Sequence, residues 1–139
     1  MTQTTLAAAE TTRVTGTFKT LGWEETPYDE AVDMPKLVHA EVCEELEGGI
    51  EGEASISYLI AYRDDKVASF VGLVRVVGRI GERSGSFVMQ DIGTFECGVA
   101  KGYWTILPAS STGELAGIRG DGHFTAGPEM VTYTMDVSF

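Results

Sequence analysis

The sequence predicts an all-β chain folded as a single eight-stranded antiparallel barrel. Three features predict it: long stretches of alternating apolar and polar residues, turn-forming clusters at near-regular spacing, and no helical period longer than a turn or two. Glycine supplies 17 of 139 residues, roughly one in eight against a usual ~7%, as a turn-rich β protein requires. Closing eight strands into a ring removes the adhesive edges of an open sheet, and a two-sheet sandwich is the alternative arrangement.

Residues 1–12 are small and polar without a strand period and predict a flexible N-terminal tail, leaving 13–139 as one barrel domain. A first strand carries Val14, Gly16, Phe18 and Thr20 on one side and runs through Trp23 into an acidic loop from Glu24 to Pro35. A second, Lys36 to Leu46, turns Val38, Ala40, Val42 and Leu46 inward and His39, Glu41 and Cys43 outward. After the Gly48-Gly49 turn, Ile50 to Tyr62 shows the clearest alternation in the chain, with Ile56, Tyr58 and Ile60 opposite Glu53, Ser55 and Ser57. Val67 to Arg79 is apolar on both faces apart from Ser69 and Arg75, which predicts a strand buried on two sides, central or at an interface. Ser86 to Ile92, Gly98 to Leu107, Glu114 to Ala126 and Met130 to Phe139 complete the eight.

At 139 residues the chain is one domain, long enough to bury a core without staples. Ten basic against 21 acidic residues give a net charge of −11, which repels phosphate backbones and anionic bilayers, so neither nucleic acid nor membrane is expected as a partner. No apolar run reaches the ~18 residues of a membrane span. Cys43 and Cys97 are too few for a disulfide framework, and with no leader-like start to the chain they predict free thiols in the cytoplasm. The absence of Asn removes any N-glycosylation acceptor. Nucleophile elbow, phosphate loop, dinucleotide fingerprint and paired-Cys zinc motif are all missing, which withdraws support from hydrolase, kinase and dehydrogenase readings.

His39, Glu41 and Cys43 combine three metal-competent side chains on one strand face. Same-face neighbours stand ~6.5–7 Å apart, too far to converge on one ion, so a solvated outer face is expected and no metal or other cofactor. The acidic run Glu41, Glu44, Glu45, Glu47, Glu51 and Glu53 reads as a solubilising surface, with Glu53 a general base should a barrel mouth bury it. Tyr58, Tyr62, Phe70, Phe87, Trp104, Phe124 and Tyr133 fall on strands in phases that place several of them inside. They form either plain core or, with Gln90 as an orienting donor, an apolar pocket with a few polar tips. Arg75 and Arg119 interrupt apolar strands and suit a carboxylate or enolate clamp, or a structural ion pair. His123 beside Asp121 is an acid–base candidate or a surface residue.

The runs Ala68-Ser69-Phe70-Val71-Gly72-Leu73 and Gly81 to Gln90 resemble a bacterial family of single domains known only as a domain of unknown function. Gly16-Thr17-Phe18, Ile50 to Glu53, Tyr58 to Tyr62, Gly102-Tyr103-Trp104-Thr105 and Ser111 to Gly120 carry the same resemblance, which spans roughly residues 14 to 139. That family is similar to the allene oxide cyclase barrels, and Gly113 to Gly120 also resembles segments of dirigent-like proteins and spirotetronate cyclases. The resemblance implies an allene oxide cyclase-like barrel, dimeric or trimeric, that steers ring closure or coupling of an apolar intermediate with few acid–base groups. The family pattern tends toward Glu at the position of Val74 and His at that of Asp91, so an acid–base pair built on those two positions is absent here.

The functional expectation is a cofactor-free, homodimeric, cytoplasmic barrel enclosing one small apolar ligand, as a cyclase or isomerase that holds one reactive conformer. A non-catalytic carrier, or a solid barrel acting through its surface, is the rival reading. Tyr58, Trp104 and Phe70 would shape the pocket, and Gln90 and Arg119 would orient a polar end.

Overall fold

The computed structural model describes residues 10–139, so most of the expected tail lies outside the described residues. Thr12 already pairs with Val137. Nine strands follow in order: β1 (Thr12–Asp29), β2 (Lys36–Gly48), β3 (Ile50–Asp64), β4 (Val67–Ile80), β5 (Arg83–Glu96), β6 (Val99–Ile106), β7 (Thr112–Gly113), β8 (Arg119–Ala126) and β9 (Val131–Ser138). Every pairing is antiparallel. Eight strands close a ring in the order β1-β2-β3-β4-β5-β6-β8-β9, and β7 is a two-residue appendage on β5. The barrel expected from the alternation is the fold.

Two local expectations are corrected and a third is narrowed. The Glu24 to Pro35 loop is shorter than expected, because β1 continues to Asp29 and pairs Trp23 with Val42 and Pro27 with Val38. β1 pairs with β9 only from Thr12 to Gly16, so the later half has a free edge on which a proline loses no ladder hydrogen bond. Glu114 to Ile118 is a succession of turns rather than the start of a strand, with Gly113 and Gly117 at φ +67° and +86°. Those turns seat Leu115 and Ile118 as buried plugs. β4, expected to be covered on both sides, buries Val74 and Val76 but leaves Val71, Leu73 and Val77 about half exposed on the outer wall. The described chain builds one layer only, so of the two arrangements expected, central or at an interface, it is the central one that the single chain does not provide.

The end of the barrel near the β2–β3 turn is solid. Phe87, Met89, Tyr133, Met135, Ile50 and Leu115 are almost wholly buried there. Tyr133 ties the closure together: its hydroxyl accepts from the Ile50 N–H at 2.8 Å and contacts the Glu47 carbonyl at 2.8 Å and the Ile50 carbonyl at 3.0 Å. This reach from β9 to the β2–β3 turn passes over Gly16, where any Cβ would collide with the phenol ring. Tyr133→Phe leaves the buried Ile50 N–H without a partner, a cost of about 1–3 kcal/mol. Urea unfolding should show a lower midpoint at unchanged slope.

Candidate functional site

The other half of the interior is hollow. A cavity of about 130 Å³ is lined by Phe18 and Trp23 of β1, Tyr58 of β3, Phe70 of β4, Trp104 of β6 and Phe124 of β8, with Glu44, Thr20, Ile60, Ala100 and Ala126 completing the wall. The volume is close to the roughly 150 Å³ of an apolar cavity that holds benzene. A second depression of about 310 Å³ shares Trp23, Ile60, Phe70 and Ala100 and opens toward Tyr62, Phe95 and Asp65, so the cavity continues to a mouth.

The rings form a connected shell. Tyr58 meets Phe70 edge-on with centroids 5.1 Å apart, Phe70 stacks on Phe124 at 6.3 Å, and Phe124 meets Trp104 at 5.4 Å and Phe18 at 5.6 Å. Trp23 joins at 6.2 Å from Tyr58 through a bulge in β1. Thr20 opposes Glu44 while Gly22 opposes Cys43, so the extra residue Leu21 reverses the inward phase and brings Trp23 opposite the inward-facing Val42. Near the mouth, Glu25 accepts from the Trp23 indole at 2.7 Å and from the Tyr62 hydroxyl at 2.8 Å, and burial pushes the Tyr62 phenol up to about 12.

Two acids are buried here, Glu44 lining the cavity and Asp91 behind its wall. Glu44 takes the inward position between Val42 and Leu46 on β2, is 7% exposed, and makes no hydrogen bond or ion pair among the described residues. Asp91 on β5 is fully buried and accepts from the Tyr58 hydroxyl at 2.7 Å. Its other oxygen, Oδ1, has no hydrogen-bond partner, nor has the buried Trp104 indole N–H. Asp91 and Trp104 are register partners on β5 and β6, and the indole is close enough to favour the carboxylate without a well-formed bond. Room for Asp91 comes from Gly102, where a Cβ would strike both Oδ1 and the Phe124 ring.

Burial and the neighbouring charge of Asp91 push the Glu44 carboxyl up to about 8. Burial likewise raises Asp91 to about 6, against the opposing pull of Tyr58 and Trp104. Burial, then the charge and hydrogen bond of Asp91, drive the Tyr58 phenol far above its ordinary range. Burial thus favours the protonated form of both acids, and only Asp91 has a hydroxyl donor and a nearby indole that favour its carboxylate.

Of the residues picked out from sequence, Tyr58, Phe70, Trp104 and Phe124 line the cavity and Tyr62 its mouth. Phe87 and Tyr133 belong to the solid end. Arg75 and Arg119 are exposed outside the barrel, and Gln90 is half-buried on the outer wall beside Leu59, Val71 and Leu73. The expected interior roles of these three fail because Arg75 and Gln90 alternate with the inward Val74, Val76, Met89 and Asp91, and Arg119 opposes the half-buried Ser138 at the end of β8. Glu53 and His123 are also exposed. His39 lies 2.7 Å from Glu41, which also accepts from the Ser57 hydroxyl at 2.6 Å, all on the outer wall. No group of three or more His, Cys, Asp and Glu among the described residues is arranged to hold a metal.

Sequence reasoning missed Glu44 and Asp91. The signal for Glu44 was its place in the Val38-Ala40-Val42-Leu46 phase, overridden by its place in an acidic run. Asp91 was read as the loss of an acid–base residue, whereas it is itself a buried carboxyl bonded to a phenol.

Fold and site together define a small closed β-barrel with an aromatic cavity lined by one buried acid and backed by a second. The family model for a protein of unknown function, DUF3224, matches residues 14–137, and the chain belongs to that family. It is similar to a DUF3224 protein of unknown function from Shewanella oneidensis MR-1, whose crystal structure superimposes with a TM-score of 0.75 at 26% identity, covering 94% of this chain and 98% of that one. No curated protein matches. These comparisons establish the family and leave the wider likeness to allene oxide cyclases as an expectation.

The raised acids carry a sign in stability. Folded Glu44 and Asp91 hold their protons to higher pH than the unfolded chain does, so their contribution is most favourable below about pH 4 and is lost as pH rises toward 8. Glu44→Gln cannot ionise and should therefore gain on the order of a few kcal/mol over wild type at pH 8.5, and little at pH 5. Urea unfolding at the two pH values checks this.

Proposed function

We propose that this barrel encloses one small, largely apolar molecule and isomerises or cyclises it by proton transfer at Glu44, without a cofactor. The observation that carries the reading is a buried, unpartnered carboxyl lining a cavity walled by six aromatic rings, where burial favours its protonated form. The Glu44 O–H gives its proton to a double bond or strained ring of the ligand, leaving a carboxylate and a cationic intermediate. The aromatic faces and the two carboxylates stabilise that positive charge in a water-poor interior. After bond migration or ring closure the intermediate returns a proton to Glu44, so atoms balance with no co-reactant. Asp91 acts on Glu44 through its charge rather than touching the ligand: it lies behind the cavity wall, bonded to the hydroxyl of Tyr58, whose ring lines the cavity.

Binding without turnover is the second reading, and the same cavity serves it. A cytoplasmic setting is supported by two exposed free thiols, Cys43 and Cys97. Among the described residues no helix is long and apolar enough to cross a membrane, which does not bear on strands. Homodimerisation is supported by Leu59, Val71, Leu73, Val77 and Ile92, exposed apolar side chains on neighbouring β3, β4 and β5. Sedimentation should give twice the 15.0 kDa chain mass, and a species at 15.0 kDa would refute it.

Native mass spectrometry of gently purified protein tests the enclosure directly. A releasable small-molecule adduct is expected on wild type and should disappear in Ala126→Leu, which fills the cavity wall. An adduct that survives the filling sits elsewhere and removes the interior reading. Once a substrate is in hand, Glu44→Gln should lower kcat at least a hundredfold with folding intact.

A further inference from the structure

We propose that the cavity is a receptor for an organic monocation, a methylated or alkylated ammonium group on a short apolar body, with the ammonium against Glu44 and the apolar end toward the mouth. The inference rests on the interior being a binding site, as proposed above, and deepens the reading of binding without turnover, since a guest that expels the Glu44 proton is bound rather than protonated.

The argument begins with an imbalance. Glu44 and Asp91 are buried within reach of each other's charge, and no Lys, Arg or His lines the cavity. A buried carboxyl without a cation is costly unless it takes up a proton, and the protein without ligand adopts that remedy. A bound cation supplies the alternative remedy, pairing with the carboxylate and expelling the proton.

The walls suit such a guest. An ammonium is drawn to the faces of Trp, Tyr and Phe within about 6 Å of a ring centre, and most strongly where water is excluded. Here Phe18, Trp23, Tyr58, Phe70, Trp104 and Phe124 surround one carboxyl. A purely neutral guest would explain the rings and would leave both acids as unrewarded burial. Asp91 Oδ1 and the Trp104 indole show that polar atoms at this wall remain unsatisfied. The volume of about 130 Å³ admits a head group of roughly the bulk of benzene. The net charge of −11 favours the approach of cations.

The ionisable groups facing Glu44 are Tyr58 from β3 and Asp91 from β5, while β6 and β8 contribute only Ala100, Trp104, Phe124 and Ala126. At the mouth stand Glu25, Tyr62 and Asp65, with Lys36 5.3 Å above the Tyr62 ring. Tyr58 stays neutral throughout, so the proton that leaves on cation binding comes from Glu44 below its pKa. Affinity for a cation therefore rises by up to tenfold per pH unit between pH 6 and 8 and levels off above.

The test is calorimetric titration of the purified protein with choline and with its uncharged carbon isostere, 3,3-dimethylbutan-1-ol, at several pH values and in buffers of different ionisation enthalpy. Choline should bind at least tenfold more tightly than the isostere at pH 8.5, release close to one proton at pH 6.5, and gain affinity with pH. Glu44→Gln should weaken choline at least tenfold and leave the isostere unchanged; the wild-type pH series stands as an independent readout should that variant not fold. Equal, pH-independent binding of the two probes overturns the inference and leaves the enclosure reading intact. Binding of choline that survives in Ala126→Leu places it outside the cavity and also overturns the inference. If neither probe binds, the inference is overturned, while the enclosure reading stands or falls on the adduct sought by native mass spectrometry.

Discussion

In a closed ring of strands an inward position has no exit. Register with its neighbours fixes the inward phase of each strand, reversed once in β1 by the bulge at Leu21, and a side chain in that phase must be accommodated whatever its chemistry. The solid end meets the demand with Phe87, Met89 and Met135 and with a tyrosine whose hydroxyl serves the β2–β3 turn. The hollow end meets it with rings too planar to fill a cylinder and with two acids. The cavity and its polarity follow from that single geometric constraint.

The acids are where the two demands conflict. Desolvation and mutual repulsion both oppose ionisation of Glu44, and desolvation opposes that of Asp91. Only Asp91 has a donor, the Tyr58 hydroxyl, and this asymmetry divides the pair into an acid and a base. Replacing both acids with apolar residues of similar shape would relieve the cost, as burial of unpaired charge is seldom a route to stability. A fold that keeps them holds a poised proton inside an aromatic shell, and that is a chemical capability rather than a structural need.

Much of the architecture was legible because alternation is a strong signal when one face is buried: Val38 to Leu46 and Ile50 to Ile60 could be read in phase directly. What failed did so for identifiable reasons. Trp23 was invisible as a cavity residue because one extra residue near Leu21 reverses the phase, and a bulge has no compositional mark here. Arg75 and Arg119 drew attention as charges in apolar strands, yet a barrel's outer wall is open to water and tolerates them. Val71, Leu73 and Val77 read as a second buried face, which one layer of strands does not supply within a single chain. Glu44 was hidden by company: five other glutamates nearby on β2 and β3 take outward positions, and only the two-residue period separates it from them.

That last point fixes where function is to be sought. The outer wall holds more ionisable groups than the interior, including the His39–Glu41–Ser57 cluster, but there water screens each charge and protons exchange freely. Inside, one carboxyl faces rings at a volume where a single guest displaces most of the water, so every charge it brings or develops interacts with Glu44 at low dielectric. A proton transferred to the guest and a cation exchanged for that proton are two outcomes of the same electrostatic arrangement. They differ only in whether the positive charge is made in the cavity or arrives with the ligand, and the proton count at Glu44 distinguishes them: zero net release over a catalytic cycle, one on binding of a permanent cation.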